Sequence, residues 1–280
     1  LVMFTKVHLR ILYVFSFLTA CIVQASAHEF WIEPTKYQLN DNIINAHLRV
    51  GQEFQGMALM YNPQDFKTFK ILSGSKNKKE KVKGILGDVP ALNTKTKLED
   101  LLIIYHETTD KFVNYKKFQK FKDFVSEKGY EQLIQTHLDK DFPQSNFMES
   151  YRRYAKSLIT TSSGSKGKDK KTGLLFEFVL DQNPYTNFDS NQMSATLYYK
   201  KKPLPNNLVT IFSKYKNSKL SVSNIKTDEK GKFTFEIEQG KEYLLDSVVI
   251  YPLKSKPDEQ EPIWHSDWAS TTFLVPENNL

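Results

Sequence analysis

Residues 25–34 have the sequence ASAHEFWIEP, in which a small-residue motif is followed at once by an aromatic, alternating segment. Phe30 and Ile32 occupy one side of the alternation, Trp31 lies between them, and Pro34 ends the run. Apolar residues at every second position are typical of a β-strand. The stretch therefore predicts a boundary after Ala27, with the first strand of the folded protein beginning directly behind it.

The residues before this boundary have the features of an export signal. A basic segment containing Lys6 and Arg10 precedes the apolar run Ile11–Val23, and Ala25-Ser26-Ala27 supplies an A-x-A cleavage site. The run is shorter than the ~20 residues that a membrane-spanning helix needs. We expect residues 1–27 to be a signal peptide and the mature protein to be periplasmic.

A second processing route is open. Leu18-Thr19-Ala20-Cys21 fits a bacterial lipobox, in which Cys21 is lipidated and becomes residue one. The protein would then be anchored to a membrane rather than released. Cys21 is the single cysteine of the sequence, so a chain that starts at His28 has no disulfide and no thiolate ligand.

Cleavage after Ala27 would give His28 a free α-amine beside its own imidazole Nδ1. These two nitrogens can chelate one metal ion, and a second imidazole would complete a T-shaped site of three nitrogens. Nitrogen-rich sites suit Cu(II) and Ni(II). The alternative is that His28 is simply the residue that follows the cleavage site.

Two other histidines are candidates for the second imidazole. His265 lies between Trp264 and Trp268 at the start of the last predicted strand, and Asp267 is close enough in sequence to orient it or bind the metal. We favour His265, with His106, at the end of a strongly apolar run, as the runner-up. Either could instead be a structural histidine, and the same interpretation applies to His47 and His137.

Hydrophobic patterning predicts a mainly β protein, built from immunoglobulin-like β-sandwich modules with a helical insertion. Phe118, Phe121, Phe124 and Val125 share one face of a helix, and Gly129 ends it. A second short helix follows, and the spacing of Tyr151, Tyr154, Leu158 and their neighbours predicts a third. The predicted units are the signal peptide 1–27, an N-terminal β region 28–112, the helical insertion 113–160, a flexible linker 161–172 and a C-terminal β-sandwich 173–280.

Composition narrows the classes of function. Hydrophobic residues make up 40% of the chain and aromatic residues 13%, enough for a packed core. The formal charge of +7 falls to +5 when Lys6 and Arg10 are removed, and the surplus lies in lysine-rich loops. The sequence has no nucleic-acid-binding motif, so we expect no nucleic-acid partner. It also lacks the Gly-x-Ser-x-Gly motif of a hydrolase, and we expect the protein not to be an enzyme.

Several segments together carry a resemblance to a known family. They are His28–Pro34, Leu48–Gly51, Tyr151–Leu158, Phe178–Leu180 with Asn183-Pro184, Lys202–Leu204 with Thr227-Asp228 and Gly231, and Trp268–Phe273. In these segments the chain resembles exported bacterial proteins of uncharacterised function that are described as periplasmic components of cobalt or nickel transport systems, among them NikM-like nickel-uptake proteins. The part from Lys202 to Tyr243 is also similar to transthyretin-like carboxypeptidase regulatory modules.

The resemblance implies export, β-sandwich modules and a role in handling a divalent transition metal such as Ni, Co or Cu. It implies a partner transporter in the inner or outer membrane, for which this chain would be the accessory. The alternative is a structural or adhesive β-sandwich without metal. A copper enzyme that activates oxygen at an N-terminal histidine is a third hypothesis, which we place below the other two.

Processing is directly testable. We expect the intact mass of the exported protein to correspond to a chain that begins at His28, because the A-x-A site and the resemblance agree on that boundary. A mass that includes a lipid on Cys21 would contradict this prediction and would remove the α-amine from the proposed chelate.

Overall fold

The computed structural model describes residues 28–161, 166–186, 191–216, 218–254 and 261–277. The predicted signal peptide 1–27, including Cys21, lies outside the described residues. The strands and helices follow one another along the chain as β1 Glu29–Pro34, β2 Ile43–Gln52, β3 Gln55–Leu59, β4 Phe66–Ser73, β5 Lys79–Lys81, β6 Leu92–Lys95, β7 Leu101–Thr108, β8 Lys111–Tyr115, α1 Phe118–Glu127, α2 Gln132–Asp139, β9 Phe147–Thr160, β10 Phe176–Leu180, β11 Gln192–Tyr199, β12 Lys202–Pro203, β13 Leu208–Tyr215, β14 Ser221–Lys226, β15 Lys232–Glu236, β16 Lys241–Pro252 and β17 Pro262–Leu274.

A central sheet organises the described part of the chain. Its strands follow the order β14-β13-β16-β17-β9-β7-β4-β5, and β8 continues the pairing with β9 beyond the end of β7. Neighbouring strands are antiparallel except β9 and β17, which pair in parallel. The sheet thus joins strands from both predicted β regions, 28–112 and 173–280, along the β9–β17 seam.

Two smaller sheets cover the two faces of the central sheet. The sheet of β1, β2, β3 and β6 buries Phe30, Ile32 and Leu48 against one face. The sheet of β10, β11, β12 and β15 buries Phe178 and Phe233 against the other. The prediction of a mainly β, sandwich-like fold is confirmed.

The helical insertion covers the same face as β1, beside it. Helix α1 buries Phe118, Phe121, Phe124 and Val125, as predicted from their spacing. Gly129 follows the helix in the left-handed region, with φ +76°, as expected of a residue that ends a helix. The helices pack on Trp264 and Trp268 of β17. No described helix has the length and apolar character needed to cross a membrane.

The prediction of a third helix is wrong, because the residues concerned form the central strand β9. Tyr154 and Leu158 face the core under β10 and β11, whereas Ala155 and Ile159 face the core under β1. A strand buried on both faces has no polar side, so its apolar residues also fit a helical spacing. Asn146, directly before this strand, has φ +54°.

The described part of the predicted linker, Lys166–Thr172, is fixed to the sandwich. Asp169 is buried and accepts a hydrogen bond from Lys156 Nζ of β9 at 2.8 Å and another from the backbone N–H of Leu180 at 2.9 Å. Thr172 donates to the buried carboxylate of Glu177 at 2.8 Å. A buried lysine paired with buried carboxylates anchors this segment, because an unpaired charge there would be costly.

A buried carboxyl group lies beneath the helices. Glu149 of β9 is fully buried and accepts hydrogen bonds from the hydroxyl of Tyr115 at 2.7 Å and from that of Ser266. Trp268 Nε1 donates to the Ser266 hydroxyl in turn. Burial raises the pKa of Glu149 to about 7, since the ionised form loses its hydration there.

This carboxyl group should make stability depend on pH. The folded protein retains the Glu149 proton up to pH about 7, whereas the unfolded chain releases it near pH 4.5, so the free energy of unfolding should fall as pH rises through this window. We expect Glu149→Gln to remove about 3 kcal/mol of that pH dependence. Urea unfolding of both proteins at pH 5 and pH 8 measures it, and parallel pH profiles would contradict the prediction.

Candidate functional site

The first strand rests edge-on on the central sheet. One edge of β1 pairs with β2, and the carbonyl oxygens of the other edge point at side chains of β9 and β17. Three of these carbonyls each accept one hydrogen bond. The donor to the His28 carbonyl is Arg153 Nη2 (3.1 Å), the donor to the Phe30 carbonyl is Ser270 Oγ (2.6 Å), and the donor to the Ile32 carbonyl is Thr272 Oγ1 (2.6 Å). Hydroxyl and guanidinium groups thus replace the neighbouring strand that this edge lacks.

The side chains on both sides of β1 pack into the protein interior. Phe30 and Ile32 enter the core shared with β7 and β4, and Trp31 enters a second cluster with Phe54 and Leu244. The alternation predicted from the sequence is therefore confirmed as a strand, although both of its sides are buried rather than one.

A buried lysine holds the start of β1. Lys128 Nζ, at the end of α1, lies 3.0 Å from Glu29 Oε1 and 3.3 Å from Asp246 Oδ2. It also lies 5.1 Å from the ring centroid of Trp268. Burial raises the pKa of Asp246 above its ordinary range, despite the opposing effect of Lys128. No local sequence pattern indicates this cluster, because its members are far apart along the chain.

His28 lies at the edge of this buried region. Its side chain is half-buried, and its Nδ1 is buried with no hydrogen-bond partner among the described residues. Nδ1 is the ring nitrogen that would form a chelate with the α-amine. Its backbone carbonyl is held by Arg153, so the position of residue 28 is defined by the sheet beneath it.

His106 lies within β7 rather than at its end, and it is buried. Its ring centroid is 5.4 Å from that of Phe30, 4.7 Å from Phe66 and 5.0 Å from Phe69. Neither ring nitrogen has a hydrogen-bond partner among the described residues. Burial lowers the pKa of His106 to about 3, so the imidazole is neutral. Buried polar atoms without partners are uncommon and call for a specific explanation.

The strand register places His28 and His106 on the same face of the central sheet. Ala155 pairs with both His106 and Ser270, and these three residues form one row across the sheet. The Phe30 carbonyl is bonded to Ser270, over that row. The His28 carbonyl is bonded to Arg153, two residues along β9, so His28 occupies the neighbouring row.

His265 lies on the opposite face. Side chains alternate along a strand, and Ser270, which supports β1, has the opposite parity to His265. Both ring nitrogens of His265 are engaged, Nδ1 with Ser150 Oγ at 2.7 Å and Nε2 with Asp267 Oδ1 at 3.3 Å. The preference for His265 as the partner of His28 is therefore not supported by the fold, and His106 is the better placed of the two.

The other histidines of the described ranges are His137 and His47. Trp264 Nε1 donates to His137 Nδ1 at 3.1 Å, so His137 Nε2 carries the proton and donates to the Pro143 carbonyl at 3.0 Å. His47 is half-buried on β2, opposite Glu33, and its Nδ1 is also buried without a hydrogen-bond partner in the described part of the chain. Among the described residues, no three or more His, Cys, Asp or Glu side chains form a group that could hold a metal ion.

The fold and the site together define a β-sandwich protein. Its first strand is buried and begins directly after His28, the candidate metal-binding residue. The chain belongs to the family described as Domain of unknown function (DUF4198), which it matches over residues 25–250. No curated protein matches the sequence.

Two solved structures are among those that the chain matches in a structural comparison. One is the crystal structure of a tetra-tandem repeat in the extending region of a large adhesion protein, with 9% identity, a TM-score of 0.20, and coverage of 89% of this chain and 50% of that one. This chain thus spans half the length of that structure. The other is the D0-D1 domain of intimin, with 13% identity, a TM-score of 0.20, and coverage of 87% and 97%.

The support of β1 by side chains can be tested without reference to metal. Replacing Ser270 with Ala leaves the buried Phe30 carbonyl without a donor, so we expect a loss of about 1–3 kcal/mol in the free energy of unfolding. Ser194→Ala is the matched control, because the hydroxyl of the half-buried Ser194 bonds the Thr234 hydroxyl at the surface and supports no buried carbonyl in the described structure. It should change stability by less than about 0.5 kcal/mol. Equal effects in denaturant titrations would contradict the role assigned to Ser270.

Proposed function

We propose that this protein is an exported accessory that captures a divalent transition-metal ion as cargo. In this proposal His28 is the first residue of the mature chain and binds the ion through its α-amine and Nδ1, and His106 supplies the second imidazole. The observation that carries the proposal is that Nδ1 of His28 and both ring nitrogens of His106 are buried and have no hydrogen-bond partner among the residues that the structure describes. They lie on one face of the central sheet, in neighbouring rows.

The protonation states of these groups suit metal capture. His106 needs no proton loss to act as a ligand, because burial lowers its pKa to about 3. An α-amine ordinarily has a pKa of about 7.7–8.0 and must be deprotonated to bind. Affinity should therefore fall as pH decreases below about 8. A set of three nitrogen donors favours Ni(II) or Cu(II) and leaves coordination positions through which the ion can pass to a partner.

The choice of metal and partner follows from the resemblance to NikM-like proteins. Nickel or cobalt uptake would require a membrane transporter to receive the ion, and this chain would deliver it. Copper is the alternative cargo, because the same donor set suits it. We infer a binding role rather than a catalytic one.

A structural or adhesive module is the second candidate, and one observation favours it. The His28–Pro34 segment is explained by packing: its carbonyls bond to β9 and β17, Glu29 pairs with Lys128, and Trp31 fills a core cluster. A segment with these roles needs no metal to account for its sequence. The metal-capture proposal requires His28 to bind a metal ion, whereas the structural-module proposal does not.

Metal titration separates the candidates. We expect the chain that begins at His28 to bind one Ni(II) or Cu(II) ion in calorimetry at pH 7.5. The same chain with one additional residue before His28 should bind at least about tenfold more weakly, because its amide nitrogen is no longer an amine. His106→Phe should weaken binding while preserving the aromatic packing around it.

The matched control is His265→Gln, which alters a histidine on the opposite face and should leave affinity unchanged. Equal affinity with and without the additional residue would rule out the amine chelate. Absence of binding by the native chain would favour the structural module. Peroxide-driven turnover by the copper-loaded protein would instead support the copper-enzyme hypothesis.

A further inference from the structure

An exposed apolar group projects from the layer that contains β1. It consists of Met60, Ile85, Leu86 and Val89, which we call the apolar tip. Their side chains are 55%, 75%, 67% and 57% exposed. Scattered single apolar residues on a surface are ordinary, but a cluster of large ones marks an interaction site.

The turn that carries the tip has a defined conformation. The backbone N–H of Asp88 donates to the Ile85 carbonyl at 3.0 Å, and the Asp88 carboxylate accepts from the N–H of Ile85 at 2.7 Å. Gly87 has φ +99°, as the third residue of a type II turn requires. Leu86 occupies the outermost corner of this turn, so its exposure is a product of the backbone geometry.

The turn is also fixed to the body of the protein. The N–H of Tyr61 donates to the Asp88 carbonyl at 2.8 Å, and the N–H of Gly87 donates to the Tyr61 carbonyl at 3.0 Å. A Cβ atom on Gly84 would approach the Tyr61 ring to 2.8 Å, so glycine permits this close contact. These bonds bring Met60, which precedes Tyr61, next to the residues of the turn.

Lysines flank the tip. Residues 76–83 contain five exposed lysines and one acidic residue: Lys76, Lys78, Lys79, Lys81 and Lys83, with Glu80. The Glu80 carboxylate accepts hydrogen bonds from Thr96 Oγ1 at 2.7 Å and from the N–H of Lys97 at 3.2 Å. Lys76 Nζ also lies 4.0 Å from Glu99 Oε2, and the other four lysines against Glu80 leave the segment with a surplus of positive charge.

We propose that the apolar tip and its lysines bind the surface of a membrane that contains anionic lipids. Large aliphatic side chains at an exposed turn can enter the boundary between headgroups and acyl chains, and adjacent lysines are attracted to anionic headgroups. The apolar tip supplies the side chains that enter the membrane, and the lysines of residues 76–83 supply the attraction to its headgroups.

Contact at the tip would bring the membrane close to the core of the β1 layer. The Tyr61 ring lies 5.1 Å from the Phe66 ring, which lies 4.7 Å from the ring of His106. The tip is therefore connected to His106 through two aromatic side chains. Membrane binding itself requires no metal, so its test is independent of the metal proposal.

Vesicle flotation tests the proposal with the purified chain from His28 onward. We expect it to float with vesicles that contain phosphatidylglycerol, and far less with phosphatidylcholine alone. Ile85→Ser combined with Leu86→Ser should reduce the partition coefficient at least about tenfold, because it removes apolar surface without adding charge. Lys81→Gln with Lys83→Gln should reduce it by roughly fivefold for each lysine.

Phe112→Ser is the matched control, because Phe112 is 60% exposed on β8, outside the tip. It should float like the unmodified chain. Leu86→Trp should give a blue-shifted fluorescence that brominated lipids quench. Failure of the unmodified chain to float with anionic vesicles would overturn the proposal and assign the tip to a protein partner. Retained binding after the double serine change, without quenching of the Leu86→Trp variant, would also overturn insertion.

Discussion

The parallel pairing of β9 with β17 is the constraint on which the other layers depend. Both strands are long and buried on both faces, and they join two sets of antiparallel strands into one sheet. On one face they support β10 and β11, and on the other they support β1 and the helices. A parallel pair needs a long crossover between its strands, so this central contact joins segments that are far apart in sequence.

The two strands of this seam, β9 and β17, also provide the side chains that hold β1 in place. Arg153 of β9, and Ser270 and Thr272 of β17, satisfy carbonyl groups that would otherwise be buried without partners. Such groups are expensive to leave unpaired, so the polar side chains on an otherwise apolar surface fix where the first strand lies. The position of His28 is therefore set by residues from the last strand and from the middle of the chain.

The same geometry determines which chemistry is available on each face. His28 and His106 lie on the face that β1 covers, with ring nitrogens that have no partner within the described ranges, whereas His265 lies on the other face and bonds Ser150 and Asp267. Because side chains alternate between the two faces of a sheet, His265 is on the opposite face from His28 and His106. The positions of these histidines in the sequence do not indicate this separation. The lysine-flanked tip extends from the β1 layer, so the proposed metal site and the proposed membrane contact belong to one side of the molecule.

Local pattern in the sequence determined the mainly β class, the strand that begins after Ala27 and the helix that carries Phe118 and Phe121. These features arise from contacts between residues close in sequence, so periodicity reveals them. Only the tertiary structure decided that Tyr151–Leu158 forms a strand, because burial on both faces removes the alternation that marks one. It also decided that His106, rather than His265, shares a face with His28. Strand register and sheet face depend on pairing between distant segments, and a single sequence does not display that pairing.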